Sequence, residues 1–219
     1  MPTTTTHQLA TLVHGTYLVD LPDTEPKAAL FGFHGYGEMA EDSLEALRRL
    51  RGTEPWLLCA VQGLHPFYRK TGDVVASWMT KFDRENALAD NVRWTAAVIE
   101  RIQRHHPTIE RRAYVGFSQG VAMTYRAAAG AGFAGHALVA LAGDVPPDVA
   151  ATEMRGFPPV LIGRGSEEQW YTEEKLADDV GVLEAHGVEV EVSRFDGGHE
   201  WDEAFVERAR GWLGEKLGG

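Results

Sequence analysis

The sequence predicts an α/β fold in which one mostly parallel sheet carries helices on both faces, without a large lid. Short apolar runs alternate with segments of helical periodicity along the chain, and this alternation is typical of parallel strands joined by crossover helices. The length of 219 residues and the hydrophobic content of 44% suit one domain with a sizeable core. Because no repeat or linker interrupts the pattern, we expect residues 1–219 to form a single domain.

Seven short apolar runs are predicted to be the strands of this sheet. They span residues 17–21, 28–33, 56–61, 113–117, 137–142, 160–162 and 188–195.

Four segments between these runs are predicted to be helices. Residues 121–129 follow the fourth strand, and three further segments repeat apolar residues every three or four positions, which marks one face of an amphipathic helix. Those faces consist of Leu88, Val92, Thr95, Ile99 and Ile102; of Leu176, Val180 and Leu183; and of Val206, Ala209, Leu213 and Leu217. We expect Asp83 and Thr172 to be N-caps and Gly187 to end a helix.

The charge balance disfavours nucleic acid as a partner. The chain carries 21 lysine and arginine residues against 32 aspartate and glutamate residues, a formal net charge of −11. Binding to nucleic-acid phosphates needs a basic surface instead.

The predicted location is the cytoplasm. Residues 1–7 lack the basic start and apolar core of a secretory signal. The least polar stretch, residues 127–143, holds four glycines and His136, so no membrane span is expected. The single cysteine, Cys59, lies in an apolar run and is predicted to be a buried thiol.

The most informative motif is Gly116-Phe117-Ser118-Gln119-Gly120, between a predicted strand and a predicted helix. In this context Gly-x-Ser-x-Gly is the pattern of a nucleophile elbow. Such a sharp turn strains the backbone of the serine and leaves no room for side chains two residues away. The sequence therefore predicts Ser118 as a nucleophile.

A serine hydroxyl needs a base that takes its proton and a third group that orients the base. Of the nine histidines, only His136, His186 and His199 follow Ser118. His136 opens a strand and His186 lies at a helix end, whereas His199 lies in a glycine-rich turn between the last strand and the last helix. We therefore predict His199 as the base.

The orienting carboxylate is predicted to come from the loop after residues 160–162. That loop contains Glu167 and Glu168, and only one of them can serve because adjacent side chains point in different directions. Glu168 is the first choice, Glu167 the second, and Asp144, just after the preceding strand, the third. Two solvated loop glutamates with no catalytic role are the alternative.

Two backbone N–H groups are predicted to bind an oxyanion. One belongs to Gln119, directly after the nucleophile, and the other to Tyr36 in the glycine-rich loop after the second strand. In that loop His34 is expected to be structural. A metal site of His34, Glu38 and His199 is disfavoured, because these residues lack the His-x-x-x-His spacing and paired cysteines of such sites.

The substrate pocket is predicted to be lined by aromatic residues. Open parallel sheets bind ligands beyond the carboxyl ends of their strands, and two long connections, residues 63–82 and 144–159, leave from that edge. The predicted pocket residues are Phe67, Tyr68, Trp78, Met79 and Trp170.

These motifs resemble the α/β-hydrolase superfamily and, within it, the phospholipase/carboxylesterase and acyl-protein thioesterase family of small, lidless enzymes. The similar segments are His34-Gly35-Tyr36-Gly37, Ala76-Ser77-Trp78, Gly116 to Gly120 and Gly198-His199-Glu200. The resemblance implies Ser118 as nucleophile and His199 as base. It also implies the N–H groups of Tyr36 and Gln119 as the oxyanion hole. The chain departs from the family at the acid, where aspartate is usual and Glu168 stands.

The residues and the resemblance together predict a serine-dependent carboxylesterase that cleaves small-molecule esters or thioesters through an acyl-enzyme, without a cofactor. A fold and a triad do not determine the leaving group, so a small peptidase or a lactonase on the same fold is the first alternative. The second is a catalytically silent ligand-binding protein, which the complete set of Ser118, His199 and Glu168 disfavours.

Overall fold

In the part of the chain that the structure describes, residues 3–130 and 134–218, seven strands form one central sheet and two more form a hairpin. The strands of this computed structural model are β1 (Tyr17–Asp20), β2 (Ala28–Phe33), β3 (Leu57–Val61), β4 (His65–Tyr68), β5 (Val74–Ser77), β6 (Arg111–Phe117), β7 (Ala137–Leu141), β8 (Val160–Gly165) and β9 (Val190–Phe195). The sheet has the order β1-β3-β2-β6-β7-β8-β9. β1 is antiparallel to β3, and the other neighbours are parallel.

Helices cover both faces of this sheet. Those in the described residues are α1 (Ala40–Arg51), α2 (Arg84–His105), α3 (Gln119–Ala129), α4 (Pro147–Ala150), α5 (Glu173–Ala185) and α6 (Glu203–Leu217). Apolar side chains of α1 and α6 join one buried cluster, and those of α2, α3 and α5 join another. Alternate residues of β2 belong to the two clusters, so the clusters lie on opposite faces of the sheet. The predicted α/β fold, a mostly parallel sheet with helices on both faces, is confirmed. No described helix is long and apolar enough to cross a membrane.

The seven strands predicted from apolar runs are confirmed, each within three residues at either end, and so are α2, α3, α5 and α6. Thr172 caps α5, because its hydroxyl accepts the N–H of Lys175 at 3.3 Å. Gly187, with φ +74°, lies just beyond the end of α5, as predicted. Asp83 is the N-cap residue of α2, as predicted. Its side chain accepts from the side chain of Asn86 at 3.0 Å and makes no capping bond to a backbone N–H of the helix.

Three elements were not predicted. They are α1, the β4–β5 hairpin inside the predicted loop 63–82, and the single turn α4 inside the predicted loop 144–159. Residues 1, 2, 131–133 and 219 lie outside the described residues. The start of the N-terminal segment and part of the stretch 127–143, on which predictions were made, are among them.

The strand register brings the loops that carry the candidate residues to one edge of the sheet. Phe33, the last residue of β2, pairs with Gly116 near the end of β6. Gly165, the last residue of β8, pairs with Phe195, the last residue of β9. Because these strands are parallel, the loops after them all leave from the carboxyl edge, where open sheets bind ligands.

Candidate active site

The turn between β6 and α3 has a strained backbone at Ser118, as the predicted nucleophile elbow requires. Ser118 has φ 52° and ψ −121°, a conformation that costs a residue with a side chain about 1–3 kcal/mol. A Cβ on Gly116 would lie 2.1 Å from the hydroxyl of Thr124, and one on Gly120 would lie 2.1 Å from the carbonyl oxygen of Phe33. Only glycine therefore fits at these two positions.

Three side chains at this edge form a continuous hydrogen-bonded chain. The hydroxyl oxygen of Ser118 lies 2.8 Å from Nε2 of His199, and Nδ1 of His199 lies 2.5 Å from Oε2 of Glu168. The ring of Phe117 packs against the imidazole, with 4.8 Å between the ring centroids. Since a carboxylate can only accept, Nδ1 donates to Glu168, and Nε2 of the neutral imidazole accepts the proton of the serine hydroxyl.

Glu168 is buried, and both of its oxygens accept hydrogen bonds. The side chain is 1% exposed, and Oε1 accepts the N–H groups of Trp170 at 2.6 Å and Tyr171 at 3.2 Å. Burial acts to raise the pKa of this carboxyl, but the hydrogen bonds from His199 and from the two N–H groups outweigh burial and hold the pKa below its ordinary value. The carboxylate is therefore ionised beside the imidazole at neutral pH.

Backbone contacts tie the acid loop, residues 165–171, to the histidine loop, residues 196–199. The N–H of Glu167 donates to the carbonyl oxygen of Gly197 at 2.8 Å. A Cβ on Gly165 would lie 2.3 Å from the same oxygen, so a side chain there would force the loops apart. The separation of the carboxylate and the imidazole is therefore set by the backbone.

The other two predicted acids border the same cleft without a hydrogen bond or ion pair to His199. Glu167 is exposed, and Asp144 lies 3.5 Å from Lys175, with which it forms an ion pair. Of these three carboxylates, only Glu168 lies within hydrogen-bond distance of the imidazole.

Tyr36 and Gln119, the residues predicted to supply the oxyanion hole, both line the cleft together with Ser118. Gln119 is the first residue of α3, where an N–H has no partner within the helix. Within residues 3–130 and 134–218 we find no acceptor for the backbone N–H of Tyr36 or Gln119. The N–H of Gly35, in contrast, donates to a carboxylate oxygen of Glu38 at 2.7 Å. The first two N–H groups are therefore available to a ligand oxygen.

His34 lies beneath the Tyr36 loop and holds it to the end of β3. Its Nδ1 donates to the carbonyl oxygen of Gly35 at 2.7 Å, and its Nε2 accepts the N–H of Gly63 at 3.0 Å. Burial lowers the pKa of His34, so the imidazole stays neutral. Among the described residues, no group of three or more His, Cys, Asp or Glu side chains is arranged to hold a metal ion.

The side chain of Gln119 links the elbow to the loop after β5, a role that we did not predict. Its Oε1 accepts the N–H of Trp78 at 3.0 Å and the hydroxyl of Ser77 at 3.2 Å. Its Nε2 donates to the carbonyl oxygen of Met79 at 3.2 Å. One wall of the cleft is thus fastened to the start of α3. The sequence motif carries no signal for this, because its fourth position accepts any residue type.

An open cleft of about 890 Å³ contains Ser118 and His199 in its lining. Met79 and Trp170, two of the five predicted pocket residues, also line it. Much of the remaining wall is polar or charged, through residues such as Thr80, Lys81, Arg84, Asp144, Glu167 and Gln169.

The other three predicted pocket residues do not line this cleft. Trp78 is fully buried, because its indole packs on His34 and donates to the carbonyl oxygen of His34 at 2.8 Å. Phe67 supports the cleft indirectly, since its ring lies 5.2 Å from that of Tyr36. Tyr68 is 76% exposed on the hairpin.

Several solved structures share this fold over nearly the whole chain. Esterase PE8 matches 93% of this chain and 100% of its own, with 19% identity and a TM-score of 0.76. A carboxylesterase from Mesorhizobium loti matches 91% of this chain over 94% of its own length, with 21% identity and a TM-score of 0.76. Acyl-protein thioesterase 2 from Zea mays matches 94% of this chain over 100% of its own length, with 17% identity and a TM-score of 0.68.

The sequence itself gives no comparable match. No protein-family model matches the chain, and no curated protein sequence is significantly similar to it. The likeness to the solved structures is therefore one of three-dimensional architecture, and by that architecture the chain has the α/β-hydrolase fold.

Proposed function

We propose that the protein is a serine hydrolase of the phospholipase/carboxylesterase type, which cleaves carboxylic esters or thioesters through an acyl-enzyme. The observation that carries this proposal is the hydrogen-bonded chain from Ser118 through His199 to Glu168, with distances of 2.8 and 2.5 Å. Its place in an open cleft gives a substrate access to the serine. Solved esterases and a thioesterase of the same fold support the choice of reaction.

In the proposed acylation, the hydroxyl oxygen of Ser118 attacks the carbonyl carbon of the substrate while its proton passes to Nε2 of His199. The carbonyl oxygen becomes an oxyanion, which accepts hydrogen bonds from the N–H groups of Tyr36 and Gln119. Glu168 holds the imidazole in the required tautomer and stabilises the imidazolium. The imidazolium then gives its proton to the departing alcohol or thiol as the bond to the acyl carbon breaks.

Deacylation repeats these steps with water as the nucleophile. His199 takes a proton from the water, the hydroxide oxygen attacks the acyl carbon, and the bond to the Ser118 oxygen breaks. The proton returns to that oxygen, and the carboxylic acid leaves. The cleft is open, so a small-molecule ester can reach the hydroxyl of Ser118.

The test is hydrolysis of a matched panel by the purified protein. The panel holds short-chain aryl esters, the corresponding thioesters, a lactone and an amide, and Ser118→Ala is the matched inactive variant. We expect esters or thioesters to be cleaved, and Ser118→Ala to lose at least about 10³-fold in kcat while its Tm is unchanged. A variant as active as the wild type would refute the role of Ser118. Preference for the amide or the lactone would indicate a peptidase or a lactonase on the same fold.

A further inference from the structure

A buried guanidinium lies beneath the acid loop. The side chain of Arg164, at the end of β8, is 9% exposed. Its Nε donates to the carbonyl oxygen of Tyr171 at 2.8 Å, and its Nη2 donates to the carbonyl oxygen of Glu168 at 3.1 Å. Its Nη1 donates to the carbonyl oxygen of Gly165 and to Oε1 of Glu173, both at 3.0 Å. Three of these four acceptors are backbone carbonyls of the acid loop.

These hydrogen bonds hold the backbone on both sides of the carboxylate that contacts His199. The carbonyl of Gly165 lies at the start of the acid loop, and that of Tyr171 lies at its end. Inside the loop, the N–H groups of Trp170 and Tyr171 donate to the side chain of Glu168. The loop is therefore fixed from outside by the guanidinium and from inside by the carboxylate.

The geometry requires arginine rather than any cation. A guanidinium presents five N–H donors in a rigid planar fork, whereas a lysine ammonium presents three donors from a single nitrogen. The carbonyls of Gly165, Glu168 and Tyr171 are each bonded by a different nitrogen of Arg164. A lysine at this position keeps the charge beside Glu173 but cannot span the three carbonyls.

We propose that Arg164 is a positioning residue, which aligns the carboxylate of Glu168 with the imidazole of His199; this inference rests on the proposed function. Arg164 does not line the cleft, so it acts without touching the substrate. Its loss displaces the carboxylate, weakens the stabilisation of the imidazolium, and leaves the binding surfaces for the substrate in place. The expected signature is a fall in kcat with little change in KM.

Arg164→Lys is the test variant, and Glu173→Gln is its matched control. Glu173→Gln removes the charged partner of Arg164 and leaves the three carbonyl bonds intact. Both are made in the wild-type background and in the Glu168→Gln background, and kcat and KM are measured with an activated aryl ester so that low rates remain measurable. Circular dichroism and Tm report folding.

If Arg164 acts through Glu168, its effect disappears when Glu168 cannot act. We expect Arg164→Lys to lower kcat by about 10- to 100-fold in the wild-type background and by less than about twofold in the Glu168→Gln background. Glu173→Gln should change kcat by less than about twofold in either background. Equal losses in both backgrounds, an unchanged kcat, or an Arg164→Lys protein that does not fold would each overturn the proposal.

A readout without turnover separates this proposal from the proposed function. The proton between Nδ1 of His199 and Glu168 resonates far downfield of ordinary amide protons in the ¹H NMR spectrum when the carboxylate is aligned. We expect that signal in the wild type and in Glu173→Gln, and its loss in Arg164→Lys. If the wild type hydrolyses none of the substrates, the proposed function fails. The downfield signal still tests whether Arg164 aligns the carboxylate of Glu168 with the imidazole of His199. A signal retained in Arg164→Lys overturns the positioning whatever the activity.

Discussion

At the scale of single residues, the carboxylate that contacts the imidazole of His199 belongs to a glutamate, Glu168, and not to an aspartate. The longer side chain of Glu168 folds back inside the acid loop, so that Oε1 accepts two backbone N–H groups while Oε2 reaches His199. The loop curves around the side chain of Glu168, and this curvature accommodates the methylene by which glutamate is longer than aspartate.

This arrangement predicts a sharp difference among the three candidate carboxylates. Glu168→Gln should lower kcat strongly, by up to about 10⁴-fold, because the neutral amide cannot stabilise the imidazolium. Glu167→Gln and Asp144→Asn are the controls and should retain most activity, because a solvent-exposed carboxylate contributes little electrostatic stabilisation to the imidazolium. Steady-state kinetics on the three variants decide the matter. If Glu168→Gln kept near-normal activity and Asp144→Asn were inactive, the carboxylate that orients His199 would be Asp144, in the loop after β7.

A second residue-scale prediction concerns the buried carboxyl of Asp179. Oδ2 of Asp179 accepts the hydroxyl of Tyr171 at 2.8 Å and the N–H of Val145 at 3.1 Å, but burial outweighs these bonds and raises its pKa from 3.8 to about 6. The folded state therefore holds this proton more tightly than the unfolded state. Its stabilising effect is present at low pH and is lost as pH rises through the folded pKa, by up to about 3 kcal/mol.

Denaturant unfolding across this pH range measures the effect. The free energy of unfolding of the wild type should fall between about pH 4 and pH 7 relative to Asp179→Asn, whose amide does not titrate. Asp23→Asn, at an exposed position, is the control and should follow the wild type. If the free energies of unfolding of the wild type and Asp179→Asn changed in parallel with pH, the carboxyl of Asp179 would not have a raised pKa in the folded state.

At the scale of elements, two helical glycines should respond in opposite ways to the same substitution. A Cβ on Gly120 in α3 would lie 2.1 Å from the backbone oxygen of Phe33, whereas one on Gly181 in α5 would meet nothing within 4 Å. Gly120→Ala should lose about 1–3 kcal/mol or more through overpacking, and Gly181→Ala should gain up to about 1 kcal/mol in helix propensity. Chemical denaturation gives both values. A stable Gly120→Ala would mean that the elbow does not pack on β2 this closely.

Elements with long periodic or apolar patterns were predictable from the sequence, and the others were missed for identifiable reasons. The apolar spacing of Ala40, Leu44, Leu47 and Leu50 is a sufficient sequence signal for α1. The strands of the hairpin have four residues each, and α4 is a single turn. Such short segments carry too little periodicity to be distinguished from loops.

Parts of the site depend on contacts that no local pattern encodes. The elbow and the histidine loop have glycine signatures and were found. Trp78 is predicted to line the pocket because it belongs to the long connection 63–82 at the carboxyl edge of the sheet, yet its indole packs on the ring of His34 and is buried. The role of Arg164 becomes visible only when the acid loop has folded around it.

At the scale of the whole molecule, the parallel sheet assembles the site from distant parts of the chain. Tyr36, Ser118, Glu168 and His199 follow β2, β6, β8 and β9 respectively. Their convergence is a consequence of strand direction and register, because parallel strands in register end at the same edge. The helices on both faces keep that edge in place, so the strained conformation of Ser118 is supported by the fold as a whole.

The central claim is that Ser118 is the nucleophile of a serine hydrolase, and covalent labelling of the intact protein tests it most directly. A fluorophosphonate should form one adduct, and peptide mapping by mass spectrometry should place it on Ser118. Ser118→Ala should remain unlabelled. Two other serines are internal controls. Ser166 is exposed and tests whether accessibility alone allows labelling, and Ser77 is fully buried and should not react. An adduct on either of them, or no adduct on the folded wild type, would contradict the claim.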